Sequence, residues 1–151
     1  MPVSSEDWWQ EDVKMEEHDK PLSLVLFSGT DDKLTAASVL AVGAAAMGRP
    51  VNIFLQYYAL DAFRTGTLHD DHKLSPEATN EQAPAIKAHA GQHWSELLRQ
   101  AKDVGVVDIQ ACALSMDMFH LKREDLDHLV DGIEGVAAFM ASASEGQVVF
   151  I

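Results

Sequence analysis

The sequence predicts a three-layer α/β domain: a mainly parallel β-sheet of about five strands with helices on both faces. Two observations predict it. Short apolar runs bounded by Pro, Gly and Ser recur along the chain, and stretches of helix length separate them. Strands that alternate with helices are joined by crossovers, which leave the strands parallel and covered on both sides.

The elements follow in order. LSLVLF (22–27) lies between Pro21 and Ser28-Gly29 and has the pattern of a buried strand. Asp31 or Asp32 can cap the next helix, 34–47, and Gly48 stands at its C′ place with Pro50 beyond. The small side chains of AASVLAVGAAAMG let that helix lie close against a sheet. VNIFLQYY (51–58) is a second strand. Residues 65–91 are polar, with Pro76 and Pro84, and long for a loop. Such a segment buries little surface per residue ordered, so it is expected either to act as a movable cover beside Tyr57 and Tyr58 or to be an ordered insertion on a neighbouring subunit. Trp94, Leu97, Leu98 and Ala101 recur at helical spacing over 93–104, and Gly105 ends that helix. VVDIQA (106–111) is a third strand. A short helix over 123–129, a fourth strand over 130–133, a helix over 136–143 and a terminal strand over 147–151 complete the set. No internal repeat is visible. Residues 1–20 form an acidic N-terminal arm and 21–151 a single domain.

Composition narrows the classes of function. The chain has 151 residues, 47% of them hydrophobic, which suffices for one substantial core. Its formal net charge is −13, so phosphate backbones and anionic lipid are repelled and a partner with a basic face is favoured. The single cysteine excludes an internal disulfide framework, a Cys-x-x-Cys redox pair and an all-cysteine zinc site. The acidic N-terminus lacks the basic and apolar regions of a signal peptide. The longest apolar-leaning stretch, 34–48, falls short of the roughly 18–20 residues of a spanning helix. A soluble, cytoplasmic protein is the expectation. Trp8 and Trp9 in the arm either pack on their own domain or make a subunit contact.

Several other clusters carry no site. HDDH (69–72) gathers two histidines and two carboxylates in the polar segment, where nothing rigid would make them converge on a metal, so a solvated cluster is expected. His89 and His93 are four apart, but Gly91 between them weakens any shared helix face. No dinucleotide fingerprint, phosphate-binding GKS/T or GxSxG is present. Neither a metal nor a cofactor is expected.

Cys112, in VVDIQACALSMDMFHL, is the residue on which function turns. It ends the third strand, and in parallel sheets reactive groups gather at the carboxyl ends of the strands. So do Ser28-Gly29 and Tyr57-Tyr58 after the first two strands. A helix beginning near Ser115 would stabilise negative charge on a sulfur at Cys112. Asp117 opposes this, and Lys122 and Arg123 offset it. A free cysteine is also among the most buried residue types, so core filler is the other reading of the residues.

The chain resembles the DsrE/DsrF-like family, whose fold is shared with TusD-type sulfur-relay proteins. SLVLFSGTDDKLTAASVLAVGAAAMGRPVNIFL resembles the family's strand, polar turn, alanine-rich helix and second strand. AKDVGVVDIQACALSMDMF resembles its helix, glycine, strand and cysteine, and DLDHLVDGIEGVAAFMASA its final strand, turn and helix. The resemblance implies that Cys112 matches the sulfur-accepting cysteine, which carries sulfane sulfur as a persulfide to a second protein. Cys112 is then the acceptor, with Ser28, Gly29, Gln56, Tyr57 and Met116 lining its pocket. The partners are donor and acceptor proteins with basic faces, and a homo-oligomer is expected, trimer or hexamer before dimer. The rival is a non-catalytic binding or assembly module of the same fold with Cys112 as filler. A cleft-lining Cys112 supports the carrier, and a buried apolar one supports the rival.

Overall fold

The computed structural model describes residues 20–89 and 91–151; the arm with Trp8 and Trp9 lies outside them. Strands β1 (Leu22–Leu26), β2 (Val51–Leu55), β3 (Val107–Cys112), β4 (Gly132–Glu134) and β5 (Gln147–Phe150) form one sheet in the spatial order β4-β3-β2-β1-β5. Every pairing is parallel. The helices are α1 (Asp31–Ala46), α2 (Tyr58–Ala62), α3 (Gln82–Ala88), α4 (Trp94–Val104), α5 (Ala113–Met118) and α6 (Val136–Ala143), with a 3-10 turn at Arg123–Asp125.

Strand alternation sorts the side chains into two unequal cores. Leu24, Ile53 and Ile109 are register partners across β1, β2 and β3, and all face the larger core with Leu22, Leu26, Val51 and Leu55. Onto that face pack Leu34, Ala37, Ala41 and Ala45 of α1 and Trp94, Leu98 and Ala101 of α4. The alanines keep α1 close, and each large aliphatic side chain removed from water there stabilises the fold by about 1.5–3 kcal/mol. On the other face Val25, Phe54 and Cys112 meet Phe139 and Ala143 of α6. The helices thus lie on both faces, but one layer is much thinner.

The ends of the elements have local causes. Thr30 is the N-cap of α1, and Asp31 and Asp32 occupy its first turn, where acidic side chains suit the helix dipole. Gly48 follows the Met47 C-cap with φ +80°, as foreseen from the Gly-x-Pro stop. His93 caps α4 by accepting from the Ser95 amide. The second strand ends at Leu55 rather than at Tyr58, because the chain turns sharply at Tyr57 and enters α2. The fourth strand runs over Gly132–Glu134, not 130–133, since Val130 and Leu129 are buried in the larger core before the strand begins.

The polar segment is pinned over 68–75. Asp31 accepts from the His72 amide at 2.8 Å and from Trp94 Nε1 at 3.0 Å, and Asp32 accepts from the Ser75 amide and hydroxyl. Leu68 is buried in the larger core, on the opposite face of the sheet from Cys112. A cover over the cysteine is therefore the wrong assignment for this segment. The HDDH cluster is likewise not simply solvated. The His69 Nδ1 and Ser95 Oγ are 3.1 Å apart, and His72 lies 6.1 Å from the Trp94 ring. His89 closes α3 and His93 opens α4, so they share no helix.

Gly146 makes the turn from α6 into β5 where the Gln147 amide donates to the Pro21 carbonyl. A Cβ at this position would collide with that carbonyl oxygen and its carbon. Gly146→Ala is expected to cost about 1–3 kcal/mol, the usual effect of overpacking against backbone. A lowered urea midpoint at unchanged slope would show it; an unchanged midpoint would mean that the turn shifts freely.

Candidate functional site

Cys112 is both the last residue of β3 and the N-cap of α5, with φ −67° and ψ 118°. Its side chain points to the thinner core and is only 5% exposed, packed with Val25, Phe54, Phe139 and Ala143. Phe139 stands edge-on to Phe54 at 4.7 Å, which anchors α6 over β2 beside the cysteine. The register pairs Cys112 with Glu134 on β4. On the other side Leu55 pairs with Ala111, and continuing by one residue sets Gln56 beside Cys112. Adjacent strands are about 4.8 Å apart, so Cys112 stands in the backbone row between Gln56 and Glu134.

Tyr57 follows Gln56 in the turn after β2. Its φ of 45° and ψ of −118° are unusual for any side-chain-bearing residue and store about 1–3 kcal/mol of strain. Three contacts hold it there. Its amide donates to the buried Ser115 hydroxyl at 3.1 Å, and its ring lies 4.7 Å from Phe27 and 6.2 Å from Phe119. Ser115 belongs to α5, so the turn after β2 is tied to the helix that Cys112 begins.

The remaining expected pocket residues are dispersed. Ser28 and Gly29 lie past the end of β1, two strands from β3. The Ser28 amide donates to the Ile151 carbonyl, and its hydroxyl is 3.2 Å from that of Thr30. Gly29 approaches the Tyr58 carbonyl so closely that a side chain would collide. Met116 is buried in the larger core, apart from Cys112. Arg123, expected to offset acidic charge near the sulfur, instead donates to the Val130 carbonyl. The sequence did not point to Glu134. A strand placed at 130–133 stops one residue short of it, and only the true β3–β4 register brings it to the cysteine.

Two carboxylates of the fold have shifted protonation. Burial pushes the Glu134 carboxyl above its ordinary value of 4.5, and the charge of Asp108 on the same face adds to this. For Asp32, burial alone would raise the value, but hydrogen bonds from Thr30, Ser75 and the Ser75 and Lys33 amides outweigh it and lower the carboxyl below 3.8. Two clefts among the described residues lie elsewhere. One of about 590 Å³ is lined by Asp31, Leu74, Ile86, His93 and Trp94, and another of about 580 Å³ lies between α1 and β5. Cys112 lines neither.

A five-stranded parallel sheet, sandwiched unevenly between helices, with one cysteine at a strand's carboxyl end, defines a small three-layer α/β protein. The chain belongs to the DsrE/DsrF/DrsH-like family, whose sequence pattern it matches over residues 18–88 and 78–151. It is 30% identical, over a 158-residue alignment, to the Bacillus subtilis protein named "Uncharacterized protein YrkE", covering 89% of this chain and 98% of that one. Its fold is similar to that of a protein of unknown function from Methanobacterium thermoautotrophicum, with a TM-score of 0.60. That match covers 88% of this chain and 100% of the other at 11% identity, and it speaks to fold alone. No helix among the described residues is long and apolar enough to cross a membrane.

The raised Glu134 value fixes a pH dependence. The folded state favours the protonated carboxyl, so its contribution is present in full below the ordinary value of 4.5 and is lost as pH rises through the folded value. Glu134→Gln imitates the protonated form. The variant is expected to unfold at higher urea than the wild type at pH 7, with the difference closing as pH falls below 4.5. A difference that is constant with pH would disconnect Glu134 from the shift.

Proposed function

We propose that the chain is a sulfur carrier that accepts sulfane sulfur on Cys112 as a persulfide and passes it to a partner protein. The observation that carries this reading is a lone thiol at the carboxyl end of a parallel strand, in a chain of this family. In the accepting step the Cys112 thiolate attacks the outer sulfur of a donor persulfide. The donor's S–S bond breaks, the donor leaves as a thiolate, and Cys112 holds the S–SH group. An acceptor thiolate then attacks that outer sulfur and regenerates the Cys112 thiolate. No net oxidation occurs, so neither a metal nor an electron acceptor is called for. A second cysteine would close a disulfide and release the cargo as sulfide; the chain has none. The net charge of −13 favours donors and acceptors with basic faces.

One observation favours the second reading, a binding or assembly module with Cys112 as filler. Cys112 is 5% exposed in an apolar cluster with Val25, Phe54, Phe139 and Ala143, so a donor reaches its sulfur only through a local opening of that layer. The carrier reading therefore makes α6, which supplies Phe139 and Ala143, the element that opens. The two readings separate under a polysulfide donor followed by mass spectrometry of the native protein. The carrier gains sulfur on Cys112 and Cys112→Ser gains none. Phe139→Ala, which deletes the largest α6 side chain of the cluster that holds Cys112 at a cost of about 3–5 kcal/mol, takes up sulfur faster. A native Cys112 that stays unmodified, while the urea-unfolded chain is modified, supports the module instead.

A further inference from the structure

We infer that the cleft of about 590 Å³ between α1, α3 and α4 binds an apolar α-amino acid as its zwitterion. α1 leaves the carboxyl end of β1, and open parallel sheets bind ligands at that edge. Trp94, which lines the cleft, belongs to the larger core, whereas Cys112 faces the thinner layer. The site is therefore separate from the sulfur chemistry. Its volume falls in the range that takes small molecules, roughly 300–1,000 Å³. Its lining mixes apolar side chains, Leu74 and Ile86 foremost, with charges of both signs, Asp71 and Lys87.

The fold does not fill this cleft, and α3 shows it. Of its seven residues, QAPAIKA, five are Ala, Pro or Ile, and none is buried. A helix this short is marginal in water and takes its stability from packing an apolar face. Ala85 and Ile86 instead line the cleft, and Ile86 is 42% exposed. The facing wall is firm: Asp31 holds the His72 amide and the Trp94 indole, and Asp32 holds Ser75. An apolar side chain seated between Ile86 and Leu74 gives α3 the packing partner it lacks.

The polar groups select both ends of the ligand. His93 Nδ1 accepts from the Ser95 amide at 3.2 Å, so the neutral ring carries its proton on Nε2. That Nε2 is buried with no hydrogen-bond partner among the described residues, a rare state for a buried donor. A carboxylate that parts α3 from the start of α4 answers it, and charge strengthens such a bond. Lys87 on the α3 wall and the N-terminus of α4 favour the same negative group. For an ammonium the counterpart is Asp71, which is exposed and in no ion pair among the described residues. A simple cation leaves His93 Nε2 unanswered, and a simple anion meets the carboxylates of Asp31, Asp32 and Asp71. A ligand with both charges on an apolar body meets the whole lining.

Isothermal titration calorimetry of the full chain with L-phenylalanine, L-leucine, phenethylamine and hydrocinnamate tests this. Both amino acids should bind, and the two analogues, each lacking one charge, should bind at least about tenfold more weakly than L-phenylalanine. Asp71→Asn and Lys87→Met should each weaken L-phenylalanine by about tenfold. Both side chains are exposed, so circular dichroism should stay that of the folded chain. Hydrogen exchange over 82–89 should slow when the amino acid binds. Cys112→Ser should bind as the wild type does. The inference is overturned if neither amino acid binds, if an analogue binds as tightly as L-phenylalanine, or if affinity survives both charge substitutions. Binding lost in Cys112→Ser would move the ligand to the other face of the sheet and overturn it too.

Discussion

A parallel sheet needs cover on both faces, because its strands are buried runs joined by crossovers. This chain covers one face with two long helices and the other mainly with the eight residues of α6. The imbalance places the only cysteine, Cys112, in the smaller cluster of the thinner layer. It also leaves uncharged helical and strand surface exposed around β5, in a chain that is otherwise strongly acidic.

The same constraint arranges the groups near the sulfur. The β3–β4 register sets a carboxyl next to Cys112, and partial burial on that face lifts its protonation. The β2 turn that brings Gln56 alongside is strained at Tyr57 and held by Ser115, from the helix that Cys112 starts. Strain of this kind persists only where surrounding contacts over-determine it, and it concentrates at functional sites. The tie between Tyr57 and Ser115 means that displacing α5 would also release the turn after β2.

Much of this was legible in the sequence. The first three strands, the long alanine-rich helix and Val136–Ala143 are runs whose periodicity and Gly or Pro boundaries act locally, so each forms where the sequence placed it, with shifted ends in all but the last. The lone cysteine at a strand's carboxyl end was equally visible. What escaped was set by distant partners. Three residues, Gly-Ile-Glu, carry no strand pattern, and the apolar Leu129 and Val130 before them drew the strand too early, which hid Glu134. The 65–91 segment looks mobile by composition, yet Asp31 and Asp32, more than forty positions away, fasten its 72–75 stretch. Cys112 shares its buried cluster with Phe139, and no local signal connects the two.

The central claim is that Cys112 reacts in the native fold by local displacement of α6, not by unfolding. The direct measurement is the rate of Cys112 alkylation in the native full chain, set beside its global unfolding rate under the same conditions. The account predicts labelling that rises in proportion to reagent, outpaces unfolding and accelerates in Phe139→Ala by more than that variant's loss of stability explains. Labelling that never exceeds the global unfolding rate would contradict it and leave Cys112 as part of the core.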